Sequence, residues 1–362
     1  MSEQVYKDMV NIMGQRGLGF AGKDIPEFYP LVEELFTPEE AAINNAMPQT
    51  TFTAAQMAEI MGTTEAEIAP KLKKMADRCL TQSYMKGDLR LFRAMPFVPG
   101  ILEFVFIPGG ETERDKKLAK LIYAYKEACT AESPMVVPFP MQRVITVDET
   151  VETGNQIHTY DQVKTYIEKN DKISVGTCYC RHAAHLRGED THGMPMQACL
   201  FFGRMADYSA ESLDAKKITK KEAYDILDEC SAAGLVHQTS NVTDEIGYLC
   251  ACDKWHCYSI KIFLQQAIPS AVFNSGFEPK FDPDKCTACG TCIDRCPAIA
   301  LEMGDEDVPV VDLNRCFGCA VCATGCDDDT ITMVTKPGYA TPPKDNNELM
   351  TSMFEAFSAQ AK

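Results

Sequence analysis

No stretch of this 362-residue chain is apolar for long enough to cross a bilayer. The richest run, around Phe97 to Ile107, is broken by Pro99 and Glu103. The opening MSEQVYKDMV has no basic segment leading into an apolar core, so no secretory leader is expected. No nucleotide fingerprint is complete in its expected context either. Gly14, Gly17, Gly19 and Gly22 crowd together, but no strand-like run precedes them. Gly17, Gly19 and Gly22 do fall in G-x-G-x-x-G spacing, but without that strand, and with no Gly-Lys-Ser/Thr after them, they read as a turn region. No nucleophile elbow or paired catalytic carboxylates stand out. Positive charge is scarce: 35 Lys and Arg face 52 Asp and Glu, for a formal charge of −17. Such a balance repels a phosphate backbone and steers basic partner surfaces. These absences remove membrane carriers, nucleotide-driven enzymes and serine hydrolases from consideration.

Cysteine is what the chain has in excess, with seventeen. Without a leader, that count reads as a cytoplasmic, reduced and anaerobic setting rather than a disulfide framework. Eight of them form two C-x-x-C-x-x-C-x-x-x-C runs, at Cys286, Cys289, Cys292, Cys296 and at Cys316, Cys319, Cys322, Cys326. Every cysteine of the second run lies 30 positions after its counterpart, and Asp282/Asp312, Lys285/Arg315 and Met303/Met333 repeat with them. Three thiolates spaced two residues apart wrap one corner of a cubane. The fourth departs in the other direction and reaches the other cluster. On this basis Cys286, Cys289, Cys292 and Cys326 are expected to hold one [4Fe–4S] cluster. Cys316, Cys319, Cys322 and Cys296 are expected to hold a second. Zinc also takes four thiolates, but usually from separated pairs.

This segment resembles the bacterial-type two-[4Fe–4S] ferredoxins over residues 277 to 335. Pro297 follows Cys296 as in that family, whereas Asp327 follows Cys326. The resemblance implies a relay of single electrons. The segment holds twelve acidic and four basic side chains, a field that favours the oxidised clusters and basic partners.

The remainder divides on pattern into an α+β multidomain chain. An N-terminal region covers 1–132, a cysteine- and histidine-rich middle domain 143–276, the ferredoxin part 277–335, and a linker with a final helix 336–362. Within the first, residues 52–110 resemble a winged helix. Ala54 to Met61 is helical, Gly62 turns, and Thr64 with Glu67 caps a helix with Ile68, Leu72, Met75 and Cys79 on one face. Lys86-Gly87-Asp88 turns a hairpin from Tyr84 to Phe92. Lys71, Lys73, Lys74, Arg78, Lys86, Arg90 and Arg93 make the region basic enough to weigh DNA binding. Glu65 and Glu67 at the helix start oppose that, and Pro70 is expected to interrupt the helix. Cys79, Cys129 and Cys230 read as packing thiols, and residues 133–142 as a linker. At the far end, Asn346 or Asn347 is expected to cap a helix carrying Leu349, Met350, Met353, Phe354 and Phe357 on one face.

The middle domain has a strand at Ile173-Ser174-Val175, then Cys178-Tyr179-Cys180-Arg181-His182, Cys199, a helix from a Thr219/Glu222 cap to Gly234, Leu235-Val236-His237, Cys250, Cys252 and Cys257. His185, His192 and His256 lie in the same zone. The layout resembles anaerobe iron–sulfur proteins with a C-x-C-R-H motif and a later cysteine cluster. Asp253, Trp255 and His256 stand where that group has further cysteines. A third site drawing on Cys178, Cys180, Cys199, Cys250, Cys252 and Cys257 is therefore expected, for a [4Fe–4S] cluster or, with histidine replacing a thiolate, zinc. Buried thiols without metal are the alternative. The functional expectation is an electron-transfer protein, a subunit or dedicated partner of an anaerobic oxidoreductase and more a carrier than a catalyst. A redox-responsive DNA-binding regulator and an enzyme with an open-site cluster are its rivals.

Overall fold

The computed structural model describes residues 2–16, 21–132, 136–146, 163–244 and 246–360. Gly17, Gly19, part of the expected 133–142 linker and residues 147–162 of the expected middle domain lie outside them. The fold is mixed α/β. Its strands in chain order are β1 (Thr81–Lys86), β2 (Leu89–Ala94), β3 (Gln142–Val144), β4 (Ile173–Thr177), β5 (Gln197–Phe202), β6 (Lys216–Ile218), β7 (Val236–Ser240), β8 (Tyr248–Cys252), β9 (Phe277–Phe281), β10 (Leu301–Met303), β11 (Pro309–Val311) and β12 (Ile331–Thr335). Two compact units emerge. One comprises Met1–Met135, Gly176–Thr191 and Arg204–Lys217; the other comprises Val136–Val175, His192–Gly203 and Ile218–Lys362.

The first unit is mainly helical. Thr53 accepts from the Gln56 amide and its own amide donates back to Gln56, starting Ala54–Met61. Gly62 then turns in the left-handed region at φ 64°, where a Cβ is costly. Thr64 gives its amide and hydroxyl to Glu67, at 3.2 and 3.0 Å, at the head of Glu65–Asp77. Ile68, Leu72 and Met75 are buried along that helix as their spacing requires. Pro70 does not interrupt it. An interior proline forfeits one bond, here to the Ala66 carbonyl, and the buried stripe on both sides of it keeps the helix running. Cys79 sits past the helix end at φ 63° and is buried. The β1–β2 hairpin pairs Lys86 with Leu89, leaving Gly87 and Asp88 as a two-residue turn. Beneath these elements, Phe28, Phe97 and Tyr125 meet edge-on or tilted. The buried Lys126 ammonium there pairs with Glu103 at 2.9 Å.

In the second unit, β3, β7, β8 and β5 lie side by side and antiparallel, with β4 beyond β5. Alternation gives the two sheet faces different jobs. On one face Ala198 and Ala251 pack with Leu235 and with Cys230 of the helix Lys220–Ala232, so Cys230 is a packing thiol. That helix starts at a Thr219/Glu222 capping box, and Gly234 follows it at φ 76°. On the other face lie Cys199, Cys250 and Cys252, because Cys199 sits opposite Cys250 and Cys252 is two residues further along the same strand.

The C-terminal part pairs β9 with β12 and β10 with β11. Its backbone repeats with the sequence. Asp282 N–H donates to Thr330 O at 2.9 Å, and 30 residues on Asp312 N–H donates to Ala300 O at 2.8 Å. Positive φ recurs at Ala288 and Gly318, Gly290 and Ala320, and Ile299 and Asp329. The last helix, Asn346–Gln360, is capped by Asp345 and not by an asparagine. Asp345 Oδ1 accepts from the amides of Asn347 and Glu348 at 2.8 and 3.0 Å. Its apolar stripe divides: Leu349 and Met353 are buried, while Met350 and Phe354 are exposed.

Candidate metal centre

Two hollows open among the repeated loops. One is lined by Cys286, Cys289, Cys292 and Cys326, with Ile331, Phe281 and Pro309 as its apolar wall. The other is lined by Cys296, Cys316, Cys319 and Cys322, with Leu301, Met333 and Phe317. About 340 and 320 Å³ of space, part of it open to solvent, lies within them. Each hollow takes three thiols from its own run and the fourth from the other, because the chain leaves each three-cysteine loop through a short helical turn. Thr291–Arg295 carries the chain to Cys296, and Ala323–Gly325 carries it to Cys326. Arg295 and Arg315 tie the crossing segments: Arg295 Nε donates to Val321 O at 3.2 Å, and Arg315 Nε to Ala298 O at 3.0 Å.

The electrostatics suit a cationic occupant. Burial pushes the Cys316 thiol up to about 11. Burial also raises Cys319 and Cys322, with neighbouring cysteine sulfurs adding to the effect. Cys292 is likewise raised by burial. Cys289 alone moves the other way, because the Thr291 hydroxyl and amide bond its sulfur. Four thiols facing one cavity cannot all ionise unless positive charge replaces their protons, so metal uptake here releases protons. Backbone amides already face these sulfurs; Ala300 N–H lies 3.4 Å from Cys296 Sγ. Such bonds are one of the levers that set cluster potential. The donor set, the apolar walls and the amide bonds all fit a four-iron cluster. Among the described residues, no three Cys, His, Asp or Glu side chains converge tightly enough to hold a single metal ion.

A family model for the 4Fe-4S dicluster domain matches residues 278–327. This C-terminal segment belongs to the ferredoxin-type dicluster family. The chain is 45% identical over 49 residues to the ferredoxin-type protein NapF of Haemophilus influenzae, covering 12% of this chain and 28% of that protein. It is 37% identical over 57 residues to the pyruvate synthase subunit PorD of Methanothermobacter marburgensis, covering 16% and 65%. An uncharacterized protein of Methanothermobacter thermautotrophicus is 38% identical over 66 residues, covering 18% and 14%. The chain thus spans less than two thirds of the length of each of these relatives. No solved structure matches the chain. No helix among the described residues is long and apolar enough to cross a membrane.

The six cysteines of the expected third site divide between the units. Cys178 and Cys180 belong to the first, where Cys178 immediately precedes the helix Tyr179–Leu186 and is buried. In that helix His182 Nε2 lies 2.8 Å from the Gly110 carbonyl. Cys199, Cys250, Cys252 and Cys257 belong to the second. Gln238, which the sequence did not single out, stands opposite Cys250 on β7. Its side-chain amide donates to Cys252 Sγ at 2.8 Å and to Cys257 Sγ at 3.4 Å. Asp253 is buried beside them and accepts from the amides of Trp255 and His256 and faces the His256 ring at 3.1 Å. It therefore shapes the loop that returns Cys257 to the sheet.

Proposed function

We propose that the chain is an electron-transfer protein with two [4Fe–4S] clusters, acting as a subunit or dedicated partner of an anaerobic, cytoplasmic oxidoreductase. One observation carries this reading: two hollows, each lined by four cysteines, three from one run and one from the other. When bound, such clusters supply one-electron transfer at potentials set by their surroundings. The protein's own residues hold the thiolates at fixed separation, exclude water with Phe317, Leu301 and Met333, and direct amide hydrogens at sulfur. Twelve acidic side chains against four across this segment favour a partner with a basic docking face. The PorD relative is by name a subunit of pyruvate synthase, which supports a role beside an oxidoreductase rather than as a catalyst alone.

In this reading residues 52–110 form a winged-helix module that docks protein rather than DNA. Of its seven basic side chains, Lys71 pairs with Glu39, Lys73 with Asp77, Arg78 with Glu40, and Arg90 with Glu211. Charges so neutralised contribute little to the counterion release that drives duplex binding. The separate 1–132, 143–276, 277–335 and 336–362 modules are part of the same proposal.

The test uses crossed ligands. In the full chain reconstituted with iron and sulfide, Cys326→Ser should perturb the cluster shared with Cys286, Cys289 and Cys292. Cys296→Ser should perturb the other. The two variants should lose different electron paramagnetic resonance signals, each with about half of the dicluster iron. Loss of the same signal in both variants would overturn the assignment.

A further inference from the structure

We propose a third [4Fe–4S] site held by Cys199, Cys250, Cys252 and Cys257 alone, with the Gln238 side-chain amide as the donor that tunes it. This deepens the electron-transfer reading by adding a relay centre outside the dicluster domain.

Three observations meet at this point. The first is register: Cys199, Cys250 and Cys252 share one face of β5 and β8, and Cys199 and Cys250 are direct cross-strand partners. The opposite face is filled by the Cys230 helix, so these thiols face away from that apolar packing. The second is convergence. Cys257 follows the Asp253 turn and comes within hydrogen-bonding reach of the same Gln238 nitrogen as Cys252. Four thiols of one compact unit are thereby grouped, without need of Cys178 or Cys180. The third is an orphaned polar atom. Gln238 is 2% exposed, its nitrogen is directed at two sulfurs, and its Oε1 has no hydrogen-bond partner. Leaving a buried carbonyl unpaired is destabilising, so a glutamine here is poor packing unless its amide hydrogens serve charged sulfur. Hydrogen bonds to cluster sulfur stabilise the reduced state and so raise its potential.

The spacing favours a cubane over zinc. Two sulfurs on one zinc at 2.3 Å must approach to about 3.8 Å, and among the described residues no three Cys, His, Asp or Glu side chains converge to hold a single ion. The corners of a cubane receive thiolates that remain farther apart.

The test uses the full chain, reconstituted anaerobically with ferrous iron and sulfide and assayed for iron, sulfide and zinc with reduced-state electron paramagnetic resonance. About twelve iron per chain is expected. The Cys199→Ser/Cys250→Ser/Cys252→Ser/Cys257→Ser variant should lose one third of it and keep the dicluster signals, whereas Cys178→Ser/Cys180→Ser should keep all of it. Gln238→Leu leaves every thiol in place. It should retain all the iron and lower the midpoint potential of one centre only, with Gln238→Asn restoring part of the shift. Eight iron in the wild type, or one zinc per chain removed by the fourfold variant, would overturn this inference and leave the dicluster reading intact. Fewer than eight iron, with neither dicluster signal present, would instead defeat the electron-transfer reading itself. An unchanged potential in Gln238→Leu would refute the role given to the glutamine.

Discussion

The 30-residue repeat offers a controlled comparison between two glycines. Gly290 and Gly318 both have positive φ, at 77° and 68°. The counterpart of Gly290 is Ala320 at φ 66°, and that of Gly318 is Ala288 at φ 56°, so the fold tolerates alanine at one copy of each position. Any L-residue there carries about 1–2 kcal/mol of left-handed strain. Their surroundings differ sharply. A Cβ on Gly290 meets nothing within 4 Å, whereas one on Gly318 would stand 2.1 Å from the Phe277 carbonyl oxygen and 2.5 Å from Ser275 Oγ. The Phe277 carbonyl belongs to β9, and the Gly318 carbonyl is itself held by the hydroxyls of Thr146 and Ser275 at 2.8 and 2.6 Å. The Cys316–Cys319 loop would have to move by about 1 Å. Overpacking of that kind adds about 1–3 kcal/mol. Gly290→Ala should therefore cost about 1–2 kcal/mol and keep both clusters. Gly318→Ala should cost about 2–5 kcal/mol and selectively weaken the cluster held by Cys316, Cys319, Cys322 and Cys296. Urea unfolding under anaerobic conditions, with iron analysis of each variant, reads both effects. Equal destabilisation and equal iron retention would refute the argument.

Burial lowers His237 to about 4, and its Nε2 lies 3.0 Å from Ser231 Oγ. The unfolded chain binds this proton more readily, so the stability it confers is complete above about pH 6.5. It is lost as pH falls towards 4, by about 3 kcal/mol in total. Urea midpoints measured between pH 7.5 and 5 should fall less steeply for His237→Gln; parallel slopes would contradict this. Removing one partner of the buried Lys126–Glu103 pair, as in Lys126→Met, should cost about 3–5 kcal/mol, and the double replacement with Glu103→Leu should recover much of it. Thermal melting of the single and double variants checks the non-additivity. Asp345→Ala should lower stability by about 1 kcal/mol through loss of the final cap. That loss is detectable as faster amide exchange at Asn347 and Glu348.

What was legible in the sequence was what depends on short spacing. The cysteine runs, the Gly87-Asp88 turn and the Thr219/Glu222 box are written within a few residues, where covalent geometry decides the outcome. Pro70 misleads because an interior proline costs about 3 kcal/mol, through one lost hydrogen bond and a ring clash with the carbonyl four residues back, yet the burial of Ile68, Leu72 and Met75 outweighs it. The final cap went to Asp345 rather than to its asparagine neighbours because all three residues can cap, and only the chain path selects among them. Gln238 was invisible. A glutamine within a strand carries no local signature, and its meeting with Cys252 and Cys257 depends on how β7 and β8 align. The Lys126–Glu103 pair was hidden for the same reason, since its partners are brought together only by helix packing. Cys230 and Cys199 look alike in sequence, and only the side of the sheet they serve separates a packing thiol from a candidate ligand.

The most direct test of the central claim is a redox titration of the anaerobically reconstituted chain, followed by electron paramagnetic resonance with iron and sulfide counted on the same sample. Two one-electron reductions are expected from the dicluster domain, with magnetic interaction between the two reduced centres and at least eight iron per chain. A chain that takes up zinc in place of iron, or binds iron without any reducible paramagnetic centre, would contradict that claim.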